Sequence, residues 1–178
     1  MKMRNINLAD GPVCINDGLS IIIHPDGWEV HNVLTEIVSA VNAEHDIKEW
    51  ENRAARVMNC LSVAAHAHGT IDSMSPFAEE IIERNFNDDF FALRGPAGYV
   101  LTFILDELSV AEKESRPLVC IEYPETALHI LVQEKLSDIL YNWSDRTGIP
   151  CVIYTQSPNI ISGHYDEIID YEDLFVEE

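Results

Sequence analysis

Basic residues are scarce in this sequence. Among its 178 residues, 11 lysines and arginines stand against 31 aspartates and glutamates, which gives a formal net charge of −20 at pH 7. A field of this sign repels phosphate backbones and anionic lipid surfaces. The composition therefore argues against direct nucleic-acid binding and against membrane association.

Long apolar runs are also missing. The longest ones, at residues 21–23 and 118–121, are far shorter than the roughly 20 residues that a membrane-spanning helix needs. The first residues carry no apolar stretch of the kind that a secretory signal contains. We therefore expect a cytoplasmic location.

The four cysteines form no CxxC pair, and most of them stand inside apolar runs. This pattern is typical of buried thiols in a reducing compartment, and it argues against a structural zinc site.

No internal repeat, low-complexity tract or Gly/Ser linker divides the chain. Hydrophobic residues make up 47% of it, which is too many for a disordered chain. A length of 178 residues suits one ordinary domain, so we predict a single domain over residues 1–178.

The predicted elements alternate between strand and helix. Two strands at 12–15 and 19–23 flank Asn16-Asp17-Gly18, which predicts a β-hairpin. Periodic apolar residues predict helices at 29–43, at 46–66, from 76 onward and at 96–114, with a small helical lobe at about 44–95. The last third predicts a strand at 118–121, a helix at 125–143 that ends at Thr147-Gly148, and a strand at 150–154.

Continuously apolar strands joined through helices indicate a mixed α/β fold with a mostly parallel sheet. Ligands of such sheets bind at the carboxyl ends of the strands. Three segments of the sequence fall there, and a fourth opens the helix at 96–114; they are residues 21–32 (IIIHPDGWEVHN), 118–129 (LVCIEYPETALH), 152–161 (VIYTQSPNII) and 93–99 (LRGPAGY).

Together these segments resemble an ABC-type ATPase head. Residues 118–129 look like the Walker B and D-loop stretch in the variant common to OLD-type, RecF-type and SMC-type DNA-repair and phage-defence ATPases. Residues 152–161 resemble the switch that follows, residues 21–32 stand at the place of the P-loop, and residues 93–99 stand at the place of the ABC signature. The resemblance implies a P-loop NTPase-like fold for nearly the whole chain, with the initial hairpin.

The P-loop segment departs from the family pattern at most of its functional positions. His24 replaces the first glycine, Glu29 the penultimate glycine, Val30 the phosphate-binding lysine and His31 the magnesium-binding hydroxyl residue, while Gly27 remains. A carboxylate at position 29 would project into a cradle for phosphate, and valine offers no charge to offset the repulsion.

The other segments depart in the same way. Glu122 stands where the resemblance places the metal-associated aspartate, and Tyr123 replaces the catalytic glutamate. Tyrosine, with an ordinary pKa of about 10, is a poor base at pH 7. Gln156 stands where a histidine would contact the γ-phosphate. Arg94, which directly precedes Gly95, stands where the signature has serine.

The residues that match the family can shape turns, cap helices or pack between strands. They are Pro124, Glu125, Thr126, Leu128, His129, Thr155, Ser157 and Pro158. We expect Pro124 and Glu125 to open the helix at 125–143, with the carboxylate favourably placed at its N-terminus. Phosphoryl transfer needs precise positioning and electrostatic stabilisation. Neither survives the combined loss of the lysine, the hydroxyl residue, the aspartate and the glutamate, so we predict a pseudo-ATPase without catalytic residues, metal or cofactor.

The leading hypothesis is a non-catalytic subunit, regulator or scaffold of an ATPase-containing complex. Its expected partner is an active ATPase or nuclease subunit, or further copies of the chain itself. By resemblance, the setting is DNA repair or antiphage defence. One alternative is a divergent NTPase in which Glu122 holds the metal and a partner supplies the missing groups. Another is an acidic decoy that mimics nucleic acid.

Three features have a structural interpretation as well as a functional one. For Glu122 we favour a buried carboxylate held by a neighbouring hydroxyl over residual metal binding, and His24 and His31 lack a third ligand for a metal site. Residues 166–178 interleave acids with apolar residues. They predict either an edge strand with an acidic end or a docking segment for a basic partner.

Overall fold

The computed structural model describes residues 3–23, 27–67, 73–86 and 95–175. The chain begins with an antiparallel hairpin of β1 (Met3–Leu8) and β2 (Gly11–Asn16). Along β1, exposed Asn5 and Asn7 alternate with buried Ile6, as expected for a strand with one face in water.

This hairpin corrects one prediction. Residues 12–15 pair with β1 and not with residues 19–23, so Asn16-Asp17-Gly18 joins two different sheets. The following strand, β3 (Leu19–Ile23), is almost entirely buried. A strand buried on both faces belongs inside a parallel sheet, which is why it does not fold back on β2.

A five-stranded parallel sheet forms the centre of the molecule. Its strands are β3, β4 (Val57–Asn59), β5 (Val119–Glu122), β6 (Cys151–Tyr154) and β7 (Glu167–Asp170), in the order β4-β5-β6-β3-β7. The predicted fold class, a mixed α/β fold with a mostly parallel sheet and an N-terminal hairpin, is confirmed. The predicted edge strand near the end of the chain is also present, as β7.

Helices cover both faces of the sheet. They are α1 (Gly27–Glu44), α2 (Cys60–His66), α3 (Pro76–Phe86), α4 (Gly95–Lys113), α5 (Ile130–Thr147) and the short α6 (Pro158–Ile161). Successive strand residues alternate between two cores: Ile21 packs with the side of α3, α4 and α5, whereas Ile22 packs with α1 and the hairpin. Among the described residues, none of these helices is both long and apolar enough to cross a bilayer.

The helix predicted at 46–66 is wrong. Its middle is irregular and its end is β4 followed by α2, and Trp50, expected on the apolar stripe, is 80% exposed. The side chain of Asn42 pins the irregular stretch, since it donates to the Ala55 carbonyl at 3.0 Å and accepts from the Ala55 N–H at 2.8 Å. Met58 is then drawn into the sheet opposite Ile121, because parallel pairing outweighs the local helical spacing.

The helix predicted at 125–143 begins later, at Ile130. Pro124 and Glu125 therefore lie in a turn ahead of it, which corrects their predicted role as its opening residues. Ala127 takes a positive φ of 60° in this turn, and the His129 side chain caps the helix by accepting from the Leu131 N–H at 3.3 Å. The predicted stop is correct, because Gly148 ends α5 in the left-handed region with φ 69°.

Candidate functional site at the carboxyl ends of the strands

The carboxyl ends of β4, β5 and β6 meet the first turns of α1 beyond the end of β3. Asn59 ends β4, Glu122 ends β5, Thr155 follows β6 and His31 lies on α1. The order of strands in the sheet therefore brings together side chains that are far apart in the chain: Glu122 lies 63 residues from Asn59 and 91 residues from His31 in sequence.

Glu122 is the buried centre of this site, with 1% of its surface exposed. Its Oε2 accepts a hydrogen bond from Asn59 Nδ2 at 2.8 Å and lies 2.8 Å from His31 Nδ1, which donates when that nitrogen carries the proton. The carboxylate is buried as expected, but an amide and an imidazole hold it in place of the predicted hydroxyl.

Asn59 was not predicted as a site residue, because residues 46–66 were assigned to a helix. Its amide is fixed at both ends: Nδ2 donates to Glu122, and Oδ1 accepts from the Ser62 N–H at 2.9 Å, which caps α2. An asparagine directly after the apolar pair Val57-Met58 is the signal that could have indicated a strand ending in a cap.

Three of the four replaced P-loop residues lie in the described part of the chain, and their side chains differ in position. Glu29 is exposed, Val30 is fully buried in the core beneath α1, and the side chain of His31 is 39% exposed while it contacts Glu122. The structure therefore brings only His31 to the carboxylate. Gly27 begins α1, and His24 lies outside the described residues.

Tyr123 lies beside Glu122 with a positive φ of 54°, which is unfavourable for a bulky residue. Its ring packs edge-on against Tyr154, with 5.1 Å between the ring centroids. Burial raises the pKa of Tyr123 to about 12, and Tyr154, Glu122 and Glu125 add to the shift. The phenol therefore keeps its proton at neutral pH and can donate but not act as a base.

Glu125 joins the turn after β5 to the segment after β6. Its Oε2 accepts from buried Thr155 Oγ1 at 2.8 Å, and its Oε1 accepts from the Gln156 N–H at 3.0 Å. The Gln156 side chain turns back and donates to the Tyr154 hydroxyl at 3.0 Å. The structure thus brings Glu125 and Gln156 together.

Gln133 on α5 extends this network and was missed by sequence reasoning. Its Oε1 accepts from Ser157 Oγ at 2.6 Å, and its Nε2 donates to the Leu128 carbonyl at 2.8 Å. A polar residue four positions after the cap of a helix gives no specific sequence signal. His129, predicted with the Walker B stretch, caps α5 instead.

The signature segment lies only partly within the described residues. Gly95 begins α4 with a positive φ of 55°, and Arg94 lies outside the described residues. The sequence segment therefore coincides with a helix start, as predicted, but Gly95 joins none of the hydrogen bonds found around Glu122 in the described part of the chain.

Metal ligands are not clustered in the part of the chain that the structure describes. Within it, no group of three or more histidines, cysteines or carboxylates is arranged to hold an ion. Any divalent ion at Glu122 would have to compete with Asn59 and His31 for Oε2.

Solved structures with a similar fold include ATP-binding cassettes and an SMC head. The SMC head domain from Thermotoga maritima has a TM-score of 0.62 at 9% identity, over 96% of this chain and 94% of that one. A bacterial ABC transporter cassette solved as a dimer has a TM-score of 0.53 at 15% identity, over 99% and 94%. A nucleotide-free cassette from an ABC transporter has a TM-score of 0.52 at 11% identity, over 97% and 87%.

These identities are low, so the similarity concerns the fold: the chain has an ABC ATPase-like, P-loop type of fold. No protein-family model matches the sequence, and no curated protein matches it either.

Proposed function

We propose that this chain is a pseudo-ATPase: a non-catalytic ABC ATPase-like protein that acts as an interaction, regulatory or scaffold subunit of an ATPase-containing complex. The observation that carries the proposal is the occupation of Glu122 Oε2 by Asn59 Nδ2 and His31 Nδ1, each at 2.8 Å. In the family that the sequence resembles, the corresponding carboxylate is associated with the metal.

Magnesium needs near-octahedral oxygen ligation at about 2.0–2.1 Å and gives up its own waters reluctantly. To bind Oε2 it would have to displace two donors, on a residue that is only 1% exposed. The side chains of Asn59 and His31 give this buried carboxylate the polar contacts that it needs.

The groups that would handle triphosphate and water support the same conclusion. Val30, at the position of the phosphate-binding lysine, is buried and uncharged. Tyr123, at the position of the catalytic glutamate, has a pKa of about 12. A phenol that keeps its proton does not activate water at pH 7.

A fold of this kind without catalytic groups can still act through contacts with other proteins. One cassette of similar fold was solved as a dimer, which motivates a pairing of this chain with an active ATPase, a nuclease subunit or a second copy of itself. A net charge of −20 favours a protein partner over nucleic acid. DNA repair or antiphage defence is the setting that we propose from the sequence resemblance alone.

Calorimetric titration of the purified chain with Mg-ATP, combined with a phosphate-release assay, tests the catalytic part of the proposal. We expect neither saturable heat nor phosphate release. Saturable binding by the wild-type chain that is lost in Glu122→Gln would overturn the proposal, provided that both proteins show the same circular dichroism spectrum.

Co-purification with the products of neighbouring genes tests the interaction part. We expect an ATPase or nuclease to associate at low and moderate salt, and its absence at both would remove this part. Hydrolysis that appears only in the complex and requires Glu122 would favour a divergent NTPase. A complex that DNA competes away and that salt weakens steeply would favour the acidic decoy.

A further inference from the structure

A cavity of about 310 Å³ lies at the opposite edge of the sheet, where the parallel strands begin. It is formed by the loop that leads into β3, the end of α5 and the residue before β7. Its lining includes Asn16, Asp17, Gly18, Asp145, Gly148 and Asp166. The site around Glu122 uses none of these residues.

Three aspartates from three separate segments face this cavity, and they are engaged to different degrees. Asp17 lies 3.8 Å from Arg4 Nε, as a partly exposed pair of little strength. Asp166 Oδ2 accepts from the Leu19 N–H at 2.8 Å. Asp145 makes no hydrogen bond or ion pair with any residue that the structure describes.

Asn16 supplies an independent sign of a missing partner. It is 1% exposed, and its Nδ2 donates to Glu167 Oε2 at 2.7 Å, which fixes the orientation of the amide. Its Oδ1 is buried and finds no hydrogen-bond donor within the described residues. A buried acceptor without a donor is unfavourable, and Asn16 lines the cavity, so a hydrogen-bond donor that enters there would relieve this cost.

Gly18 allows this arrangement. A Cβ at position 18 would lie 2.0 Å from Asp166 Oδ2, so only glycine lets that carboxylate pack over the turn. The end of α5 at Gly148 adds the partial negative charge of a helix C-terminus. The cavity therefore attracts a cation.

The kind of cation follows from the spread of the acceptors. The described residues hold no cluster of three ligands suited to a metal ion, so a compact ion does not fit the donor set. A guanidinium group presents five N–H donors in a planar fork and can reach several separated oxygens. Three carboxylates and the unpaired Asn16 carbonyl match that pattern.

We propose that this cavity receives an arginine side chain of a basic protein partner. The net charge of −20 steers such a partner toward the chain, and the aspartates determine where its arginine binds. Asp166 and Glu167 begin the acidic segment that was considered as a docking element, whereas Leu174 of that segment is buried in the protein's own core. The inference depends on one part of the proposed function, namely that the chain works through protein contacts.

The test uses the full ¹⁵N-labelled chain and the peptide acetyl-Gly-Arg-Gly-amide, with acetyl-Gly-Gln-Gly-amide as the matched probe. We expect the arginine peptide to cause saturable amide shifts at residues 16–20, 144–148 and 166, and the glutamine peptide to cause none. Asp145→Asn should weaken binding roughly two- to fivefold, as for the loss of one partly exposed charge pair. Because Asp145 makes no bond to the described residues, this variant should fold normally.

The control Glu49→Gln removes the same charge from an exposed position outside the cavity. It should leave the affinity unchanged. Equal weakening by both variants, equal shifts with both peptides, no saturable shift, or calcium saturating the same amides while the arginine peptide does not, would overturn the inference. The Mg-ATP titration is independent of all these results, so a failure here leaves the proposed function standing.

Discussion

Thr155 Oγ1 donates a 2.8 Å hydrogen bond to Glu125 Oε2, and this bond joins the turn after β5 to the segment after β6. The second oxygen of the same carboxylate accepts from the Gln156 N–H at 3.0 Å. In the family that the sequence resembles, these two segments correspond to the D-loop and the switch. In this protein the Glu125 carboxylate binds the two segments to each other directly.

Removing this carboxylate should destabilise the protein. Glu125→Ala leaves the buried Thr155 hydroxyl and the Gln156 N–H without their acceptor, so we expect the free energy of unfolding in urea to fall by about 1–3 kcal/mol. Glu134→Gln, at an exposed position on α5, should change it by less than about 0.5 kcal/mol. Equal losses in the two variants would show that the bonds contribute nothing specific.

Restoring a lysine at position 30 should fail to restore a nucleotide site. Val30 is fully buried, so Val30→Lys places an ammonium group in the core and should lower the free energy of unfolding by about 3 kcal/mol or more. Ser39→Lys, at an exposed position of the same helix, is the matched control and should change it by less than about 0.5 kcal/mol. Denaturant unfolding measures both. A stable Val30→Lys protein that binds Mg-ATP would contradict the burial of this side chain.

The sequence predicted elements well where one signal dominated. Long apolar runs located β3, β5 and β6, and a proline next to an apolar stripe located α3 and α4. The predictions failed where local spacing competed with sheet pairing. Met58 satisfies a helical period as well as the strand register opposite Ile121, and only the tertiary structure decides between them.

The candidate site was predictable only in part. The position of Glu122 followed from its place at the end of an apolar strand, as the structure bears out. Its bond to Asn59 depended on a strand that was not predicted. Gln133 could not be found from the sequence, because its role arises from tertiary contacts of α5 with the turn after β5 and with the segment after β6.

Tyr123 should make the fold sensitive to alkali. Its pKa in the folded chain is about 12, against about 10 for an unfolded tyrosine, so the unfolded state loses its proton first. Stability is therefore fully present below about pH 10 and is lost as the pH rises toward 12. Tyr123→Phe cannot ionise, and its unfolding free energy should fall less across this window than that of the wild type.

The control for this experiment is Tyr165→Phe, at an exposed ring. It should retain the wild-type dependence on pH, measured by urea unfolding at intervals between pH 9 and pH 12. Burial also raises the pKa of Tyr171, so some loss of stability should remain in Tyr123→Phe. If the two variants and the wild type lose stability in parallel, the pKa of Tyr123 is not raised in the folded chain, and the prediction is wrong.

Gly163 should tolerate no side chain, because it packs directly on α5. An added Cβ would lie 1.7 Å from Ser137 Oγ and 2.9 Å from Ser137 Cβ, and Ser137 is completely buried. We expect Gly163→Ala to lower the free energy of unfolding by about 1–3 kcal/mol through overpacking. Gly148→Ala meets no atom within 4 Å and should cost about 1 kcal/mol, from its positive φ of 69° alone.

The double variant Ser137→Ala/Gly163→Ala separates overpacking from other effects. Ser137 Oγ has no hydrogen-bond partner among the described residues, so Ser137→Ala alone should leave stability unchanged or slightly raise it. In the double variant the contact with Oγ is gone, while those with Ser137 Cβ and with Asp138 Oδ1 at 3.2 Å remain, so part of the loss in Gly163→Ala should be recovered. Urea unfolding of the four proteins completes the cycle. Strictly additive effects would mean that α5 and the loop at Gly163 move apart instead of sharing one rigid contact.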